Sequence, residues 1–166
     1  MNYLRVLDIV EGTSVDGPGL RTSIYLAGCA HHCQGCHNPE SWDFNGGNEL
    51  DDDRLMEVIA YNDFNVTFSG GDPMGQPEAL ARLCRRIKAE LGKTIWVYTG
   101  YRWEQIIGRE PFKAVLDTID VLVDSPFILS RRDTTLRFRG SDNQRIIDVP
   151  SSLEAGEIVE MKMWDV

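Results

Sequence analysis

The sequence predicts an α/β fold, a partial (βα) barrel or curved, mostly parallel sheet of about five to six strands with flanking helices, in one domain spanning residues 1–166. Strand-like and helix-like segments alternate along the chain, as they do in βαβ units. At 166 residues the chain is shorter than the roughly 250 that a closed eight-stranded barrel takes. The loops richest in Cys, Gly and Asp all follow strand-like segments, and such sheets bind ligands at the carboxyl ends of their strands.

Residues 20–27 (LRTSIYLA) form a strand that runs into a cysteine-rich loop. Residues 51–61 form a helix: acidic residues in the first turn suit the helix dipole, and Leu55, Val58 and Ile59 share a face. A second strand, 65–69 (NVTFS), ends at Gly70-Gly71-Asp72-Pro73. The clearest helix is 76–91, with Pro77 in its first turn, a stripe of Leu80, Cys84, Ile87 and Leu91, and Gly92 to end it. Residues 94–99 (TIWVYT) and 119–124 (IDVLVD) are a third and a fourth strand, with helical sequence from 103 to 117 between them. Residues 145–149 and 158–163 are further strand candidates. Four loops, after residues 27, 69, 98 and 123, are expected to converge on one site.

A formal net charge of -9 argues against general affinity for nucleic acid or an anionic membrane surface. No apolar run approaches the roughly 20 residues of a membrane span, and Asp8 and Glu11 interrupt the first apolar stretch, unlike a secretion signal. The expected location is the cytoplasm. Three of the four cysteines, Cys29, Cys33 and Cys36, fall within eight residues, crowding that points to metal or cluster ligation rather than a disulfide framework.

The spacing is C-x3-C-x2-C. Three thiolates on a tight loop can each take one iron of a [4Fe–4S] cubane, leaving the fourth iron without a protein ligand, whereas clusters that only carry electrons normally have four. S-adenosylmethionine (SAM) can fill such an opening through its amino nitrogen and carboxylate. A structural zinc site is the alternative, since His31, His32 and His37 stand nearby and Cys3His is a legitimate zinc set. Zinc sites usually pair two separated knuckles, however, and the chain has only one. Cys84, inside an apolar helical stripe, reads as core.

The phrase Val15-Asp16-Gly17-Pro18-Gly19-Leu20-Arg21, then Gly28-Cys29 and Cys36-His37-Asn38-Pro39, resembles the signature of the glycyl radical enzyme activases of the radical SAM superfamily. Gly70-Gly71-Asp72-Pro73 resembles the superfamily's glycine-rich motif. Residues 139–148 (RGSDNQRIID) and the short length are similar to the activating proteins of the anaerobic (class III) ribonucleoside-triphosphate reductase. The resemblance implies an enzyme that cleaves SAM reductively at one [4Fe–4S] cluster per chain. The resulting 5′-deoxyadenosyl radical would take a hydrogen from a glycine of that reductase, with a flavodoxin- or ferredoxin-type protein as reductant. An activase of a pyruvate formate-lyase-type enzyme, or a non-catalytic zinc adaptor, are the rival readings.

Carried over, Cys29, Cys33 and Cys36 would hold the cluster, while Gly35, Cys36, His37, Gly70, Gly71 and Asp72 would line SAM. Thr99 and Asp124, at strand ends, are candidates to contact ribose or the methionine moiety. Tyr98-Thr99 stands where the pyruvate formate-lyase activases carry Asp-Thr, a departure from the pattern that would support a cation site at Asp16; Asp16 reads as a turn residue, with a role in the site as the alternative. Arg131, Arg132, Arg137, Arg139 and Arg145, against only Asp133 and Asp142, form a local basic stretch expected to help dock the partner's glycine segment.

Overall fold

The computed structural model describes residues 2–162. β1 (Tyr3–Thr13) lies antiparallel to β2 (Arg21–Leu26), and β3 (Asn48–Asp51) pairs antiparallel with the other side of β1. Then follow α1 (Asp52–Tyr61), β4 (Asn65–Gly70), α2 (Pro77–Arg86), β5 (Ile95–Tyr98), α3 (Trp103–Ile106), α4 (Phe112–Leu116), β6 (Val121–Asp124), β7 (Arg145–Asp148) and α5 (Val149–Ala155). The strands make one sheet in the order β3-β1-β2-β4-β5-β6-β7. β2, β4, β5 and β6 are mutually parallel, and β7 closes the row antiparallel to β6.

The α/β class and the parallel centre agree with the sequence. The sheet has seven strands rather than five or six, its margins are antiparallel, and its linear order is that of an open sheet. Two strands escaped the sequence reading. β3 (NELD) has no β-branched residue and is held by pairing with β1, not by propensity. β1 buries only Leu4 and Val6 and turns to solvent beyond them. The helical sequence expected from 103 to 117 forms two short helices, because the intervening segment carries Gly108 and Pro111, which interrupt a helical ladder. Of the last strand candidate, the described part makes one bridge, Ile147 to Glu160; Met163 lies outside the described residues.

Alternation along the parallel strands sorts side chains onto two faces. Ile24 and Leu26, Val66 and Phe68, Ile95 and Val97, and Leu122 join the apolar sides of the helices in one buried cluster. The opposite face differs between its halves. Trp96, Val121, Val123 and Ile146 make a smaller apolar cluster, while β2 and β4 present Arg21, Ser23, Tyr25, Thr67 and Ser69.

Arg21 is buried and lies 5.6 Å from the Trp96 ring centre. Its Nε donates to Thr67 Oγ1 at 2.8 Å and an Nη to the Val66 carbonyl at 2.8 Å, and burial lowers its pKa to about 10, so it stays charged at neutral pH. Thr67 in turn donates to the Asp16 carbonyl at 3.0 Å. A Cβ on Gly17 would sit 2.7 Å from Arg21 Cδ, and its φ of +148° suits glycine. The Asp16-Gly17-Pro18-Gly19 turn is thereby laid onto the sheet instead of projecting from it.

The basic stretch is only partly tied into the fold, with Arg131, Arg132 and Arg137 exposed and Arg139 and Arg145 partly buried. Arg131 pairs with Asp142 at 2.5 Å, and Arg139 donates to the Gln144 carbonyl at 3.2 Å. Arg145 grips the buried Asp124 through Nε (3.0 Å) and Nη (2.6 Å) and reaches the exposed Glu104 at 2.9 Å. Leaving a buried carboxylate without its partner is far costlier than losing an exposed ion pair. Arg145→Met is therefore expected to lower urea-unfolding stability by about 3–5 kcal/mol. Glu104→Gln, which leaves Asp124 paired, should cost under about 1 kcal/mol.

Candidate functional site

The cysteine loop is built against the ends of β2 and β4. Gly28 N donates to the Ser41 carbonyl at 2.8 Å and Cys29 N to the Trp42 carbonyl at 3.2 Å, so the loop returns on itself through the 3-10 turn Pro39–Trp42. Gly28 adopts φ +100°, and the Phe44 ring takes the place a side chain would need, 2.4 Å from an ideal Cβ. Cys36 N closes onto the Cys33 carbonyl at 3.1 Å.

Cys29, Cys33 and Cys36 are free, half-buried thiols on the wall of a cavity of about 340 Å³. Burial, above all, raises the Cys29 thiol pKa, so ligation there would have to displace a proton. His37, Gly70, Gly71 and Thr99 share that wall, so the structure brings together seven of the residues expected at the site. Gly35, Asp72 and Asp124 are not among the wall residues. Gly35, at φ +77°, lies under the Leu129 side chain.

Asp72 is 2% exposed and turned into the protein. Its Oδ2 meets His31 Nε2 at 2.6 Å, Thr99 Oγ1 at 2.9 Å and Gly100 N at 3.0 Å, while Oδ1 accepts from Met74 N at 2.9 Å. Three of these partners share Oδ2 and one holds Oδ1, so both oxygens of the buried carboxylate are engaged within the protein. Asp124 is equally occupied, accepting from Trp103 N at 2.8 Å and Ser125 Oγ at 3.1 Å besides Arg145. Both carboxylates hold strand ends in place from behind the cavity.

The glycine pair has a reason inside the protein. A Cβ on Gly70 would lie 2.4 Å from Leu26 N, and one on Gly71 2.5 Å from the Gly28 carbonyl. Only side-chain-free residues let the end of β4 pack on the end of β2, with Gly71 N donating to the Leu26 carbonyl at 2.8 Å.

The cavity also has walls that the sequence reading passed over: Tyr25 and Tyr98, Trp42, and Phe127 with Gln144 from the β6–β7 connection. Tyr25 donates to Asp16, which itself reaches the cavity, and burial raises the pKa of both tyrosines. Tyr25 shares its strand face with Arg21 and Ser23, an alternation visible in the sequence once the strand's inner side is known. Gln144 Oε1 accepts from Gly140 N at 2.8 Å and its Nε2 donates to the Ser125 carbonyl at 3.1 Å, which pins the long connection over the site.

A family model described as a 4Fe-4S single cluster domain matches residues 15–147. A protein from Escherichia coli (strain K12) named anaerobic ribonucleoside-triphosphate reductase-activating protein is 39% identical over 142 residues, covering 78% of this chain and 89% of its own. Its namesake from Haemophilus influenzae is 38% identical over 157 residues, covering 88% and 97%, and that of Enterobacteria phage T4 is 33% identical over 153 residues, covering 88% and 93%. The chain belongs to the anaerobic ribonucleoside-triphosphate reductase-activating protein family.

Within this family member, the donors fit a cluster at the cysteine loop. All four cysteines fall inside the matched span, but Cys84 is sealed in the apolar stripe of α2, where burial drives its thiol pKa strongly upward. Three thiols remain, on one loop and facing one cavity. Among the described residues no three His, Cys, Asp or Glu side chains are placed to share a single metal ion. Also among them, no helix is long and apolar enough to cross a membrane. After anaerobic reconstitution, alanine at Cys29, Cys33 or Cys36 is expected to lower bound iron and sulfide severalfold, with Cys84→Ala matching wild type in colorimetric iron and sulfide assays.

Proposed function

We propose that this chain activates an anaerobic ribonucleoside-triphosphate reductase, holding a [4Fe–4S] cluster on Cys29, Cys33 and Cys36 and binding SAM beside it. The observation that carries the reading is the convergence of three free thiols, the Gly70–Gly71 strand end and Thr99 on one cavity, in a chain whose relatives bear that activating name. When bound, the cluster would supply one electron to the SAM sulfonium, breaking its C5′–S bond to methionine and a 5′-deoxyadenosyl radical that takes a hydrogen atom from a reductase glycine and leaves as 5′-deoxyadenosine.

The protein's part in this reading is positional. The cysteine loop supplies three thiolates and withholds a fourth, because Cys84 lies in the helical core. Gly70 and Gly71 bring bare backbone to the wall beside those thiols, and Thr99, already donating to Asp72, has its hydroxyl oriented. Tyr98, Trp42 and Phe127 give the wall aromatic surface that limits water around a reactive species. His37 and Phe127, with ring centres 5.6 Å apart, link the cysteine loop to the β6–β7 connection on the far side. Homolytic cleavage and hydrogen-atom transfer need no general acid or base, in keeping with a site whose buried carboxylates are all engaged in holding loops. A flavodoxin- or ferredoxin-type protein is the proposed electron source, and a glycyl radical subunit the proposed substrate.

The test is to mix the reconstituted, reduced protein with SAM and purified reductase and record the paramagnetic resonance spectrum. A glycyl radical that requires SAM and disappears with Cys33→Ala is expected, with 5′-deoxyadenosine formed alongside. No radical and no 5′-deoxyadenosine from a protein that does hold its cluster would overturn the proposal.

A further inference from the structure

His31 sits midway between two of the presumed cluster thiols, two residues after Cys29 and two before Cys33. Its ring is not directed to solvent: only 18% of the side chain is exposed, and Nε2 lies 2.6 Å from Asp72 Oδ2. Two further features seat the ring. Tyr101 meets it edge-on, with ring centres 4.6 Å apart, and Gly100 passes beneath it so closely that a Cβ there would be 2.6 Å from the ring. The same Asp72 oxygen is held by Thr99 Oγ1 and Gly100 N, and the other by Met74 N. Asp72 is thus fixed by the ends of β4 and β5, and His31 is the one residue of the cysteine loop whose side chain reaches it.

We infer that Asp72 and His31 are a positioning pair for the cluster. Asp72 is the anchored member, and His31 carries that anchorage into the middle of the cysteine loop. The three thiols are thereby held in register with Gly70–Gly71 and Thr99 before any ligand arrives. The inference rests on the reading that Cys29, Cys33 and Cys36 ligate a cluster. It assigns Asp72 a role other than direct contact with SAM, since the carboxylate is buried, bonded within the protein through both oxygens and absent from the cavity wall. Groups that orient ligating side chains from behind typically change metal affinity when removed, by about 10- to 100-fold.

Three variants test the pair: His31→Ala removes the link, His31→Gln keeps a side-chain N–H able to reach the carboxylate, and Gly100→Ala leaves both partners but puts a methyl group where the ring sits. Each is reconstituted anaerobically. Iron release to a chelator is then timed, the change in the cluster's paramagnetic resonance on adding SAM is recorded, and the metal-free protein is melted. His31→Ala and Gly100→Ala are expected to release iron about 10-fold faster than wild type, with a weakened response to SAM and little change in the metal-free melt, and His31→Gln to restore most of the retention. If His31→Ala does not fold, Gly100→Ala reads the same loss by another route. Iron release and SAM response unchanged in the variants overturn the pairing while leaving the functional reading intact. A wild-type protein that takes up no cluster overturns the functional reading, and the pairing with it.

Discussion

The site depends on one buried carboxylate. Asp72 collects hydrogen bonds from His31, Thr99, Gly100 and Met74, and its own N–H donates to the Gly28 carbonyl at 2.7 Å. Through it the loops leaving β2, β4 and β5 become one body. The linkage runs further, since Thr99 N donates to the Val123 carbonyl and Ser125 N to the Tyr101 carbonyl, which bring in the end of β6. Asp124 repeats the device one strand along, tying β6 to α3 through Trp103 N and to β7 through Arg145. An ionised group removed from water is tolerable only when fully satisfied, and that same requirement makes each carboxylate a rigid junction.

This arrangement separates the work of the two sheet faces. The helical face carries the larger apolar cluster, whose burial supplies most of the hydrophobic stabilisation. The other face can then afford polar groups such as Arg21, Ser23, Tyr25 and Thr67, provided that the Asp16–Gly19 turn and Trp96 cover them. The cavity opens where that polar half meets the strand ends, so the cysteine loop lies against a frame braced from two directions.

Much of this was legible in the chain. The α/β class, the four central strands and the long helix, α2 continued by the π-helical turn Ile87–Leu91 up to Gly92, follow from periodicity and from Pro and Gly placement, because buried parallel strands and amphipathic helices write their burial into their apolar pattern. The cysteine spacing marked the site, and Gly70, Gly71 and Thr99 fell where strand ends must bring them. What stayed hidden depends on pairing between distant residues. β3 exists because β1 offers it an edge, and the internal bonds by which Asp72 and Asp124 brace the strand ends run to residues far away in the sequence. The arginine stretch, too, is sorted only by the fold, which pairs Arg145 with the distant Asp124 and Glu104 and leaves Arg131, Arg132 and Arg137 exposed. Phe127 carries no local signal; only the folded β6–β7 connection shows it at the cavity.

The central claim is that the three-thiolate loop leaves one iron of its cluster open to SAM. The most direct measurement is electron–nuclear double resonance on the reduced cluster with SAM labelled by 15N in its amino group or 17O in its carboxylate. Magnetic coupling to both labels, as inner-sphere chelation requires, is the predicted result. A reduced cluster that forms fully yet couples to neither nucleus would contradict the account.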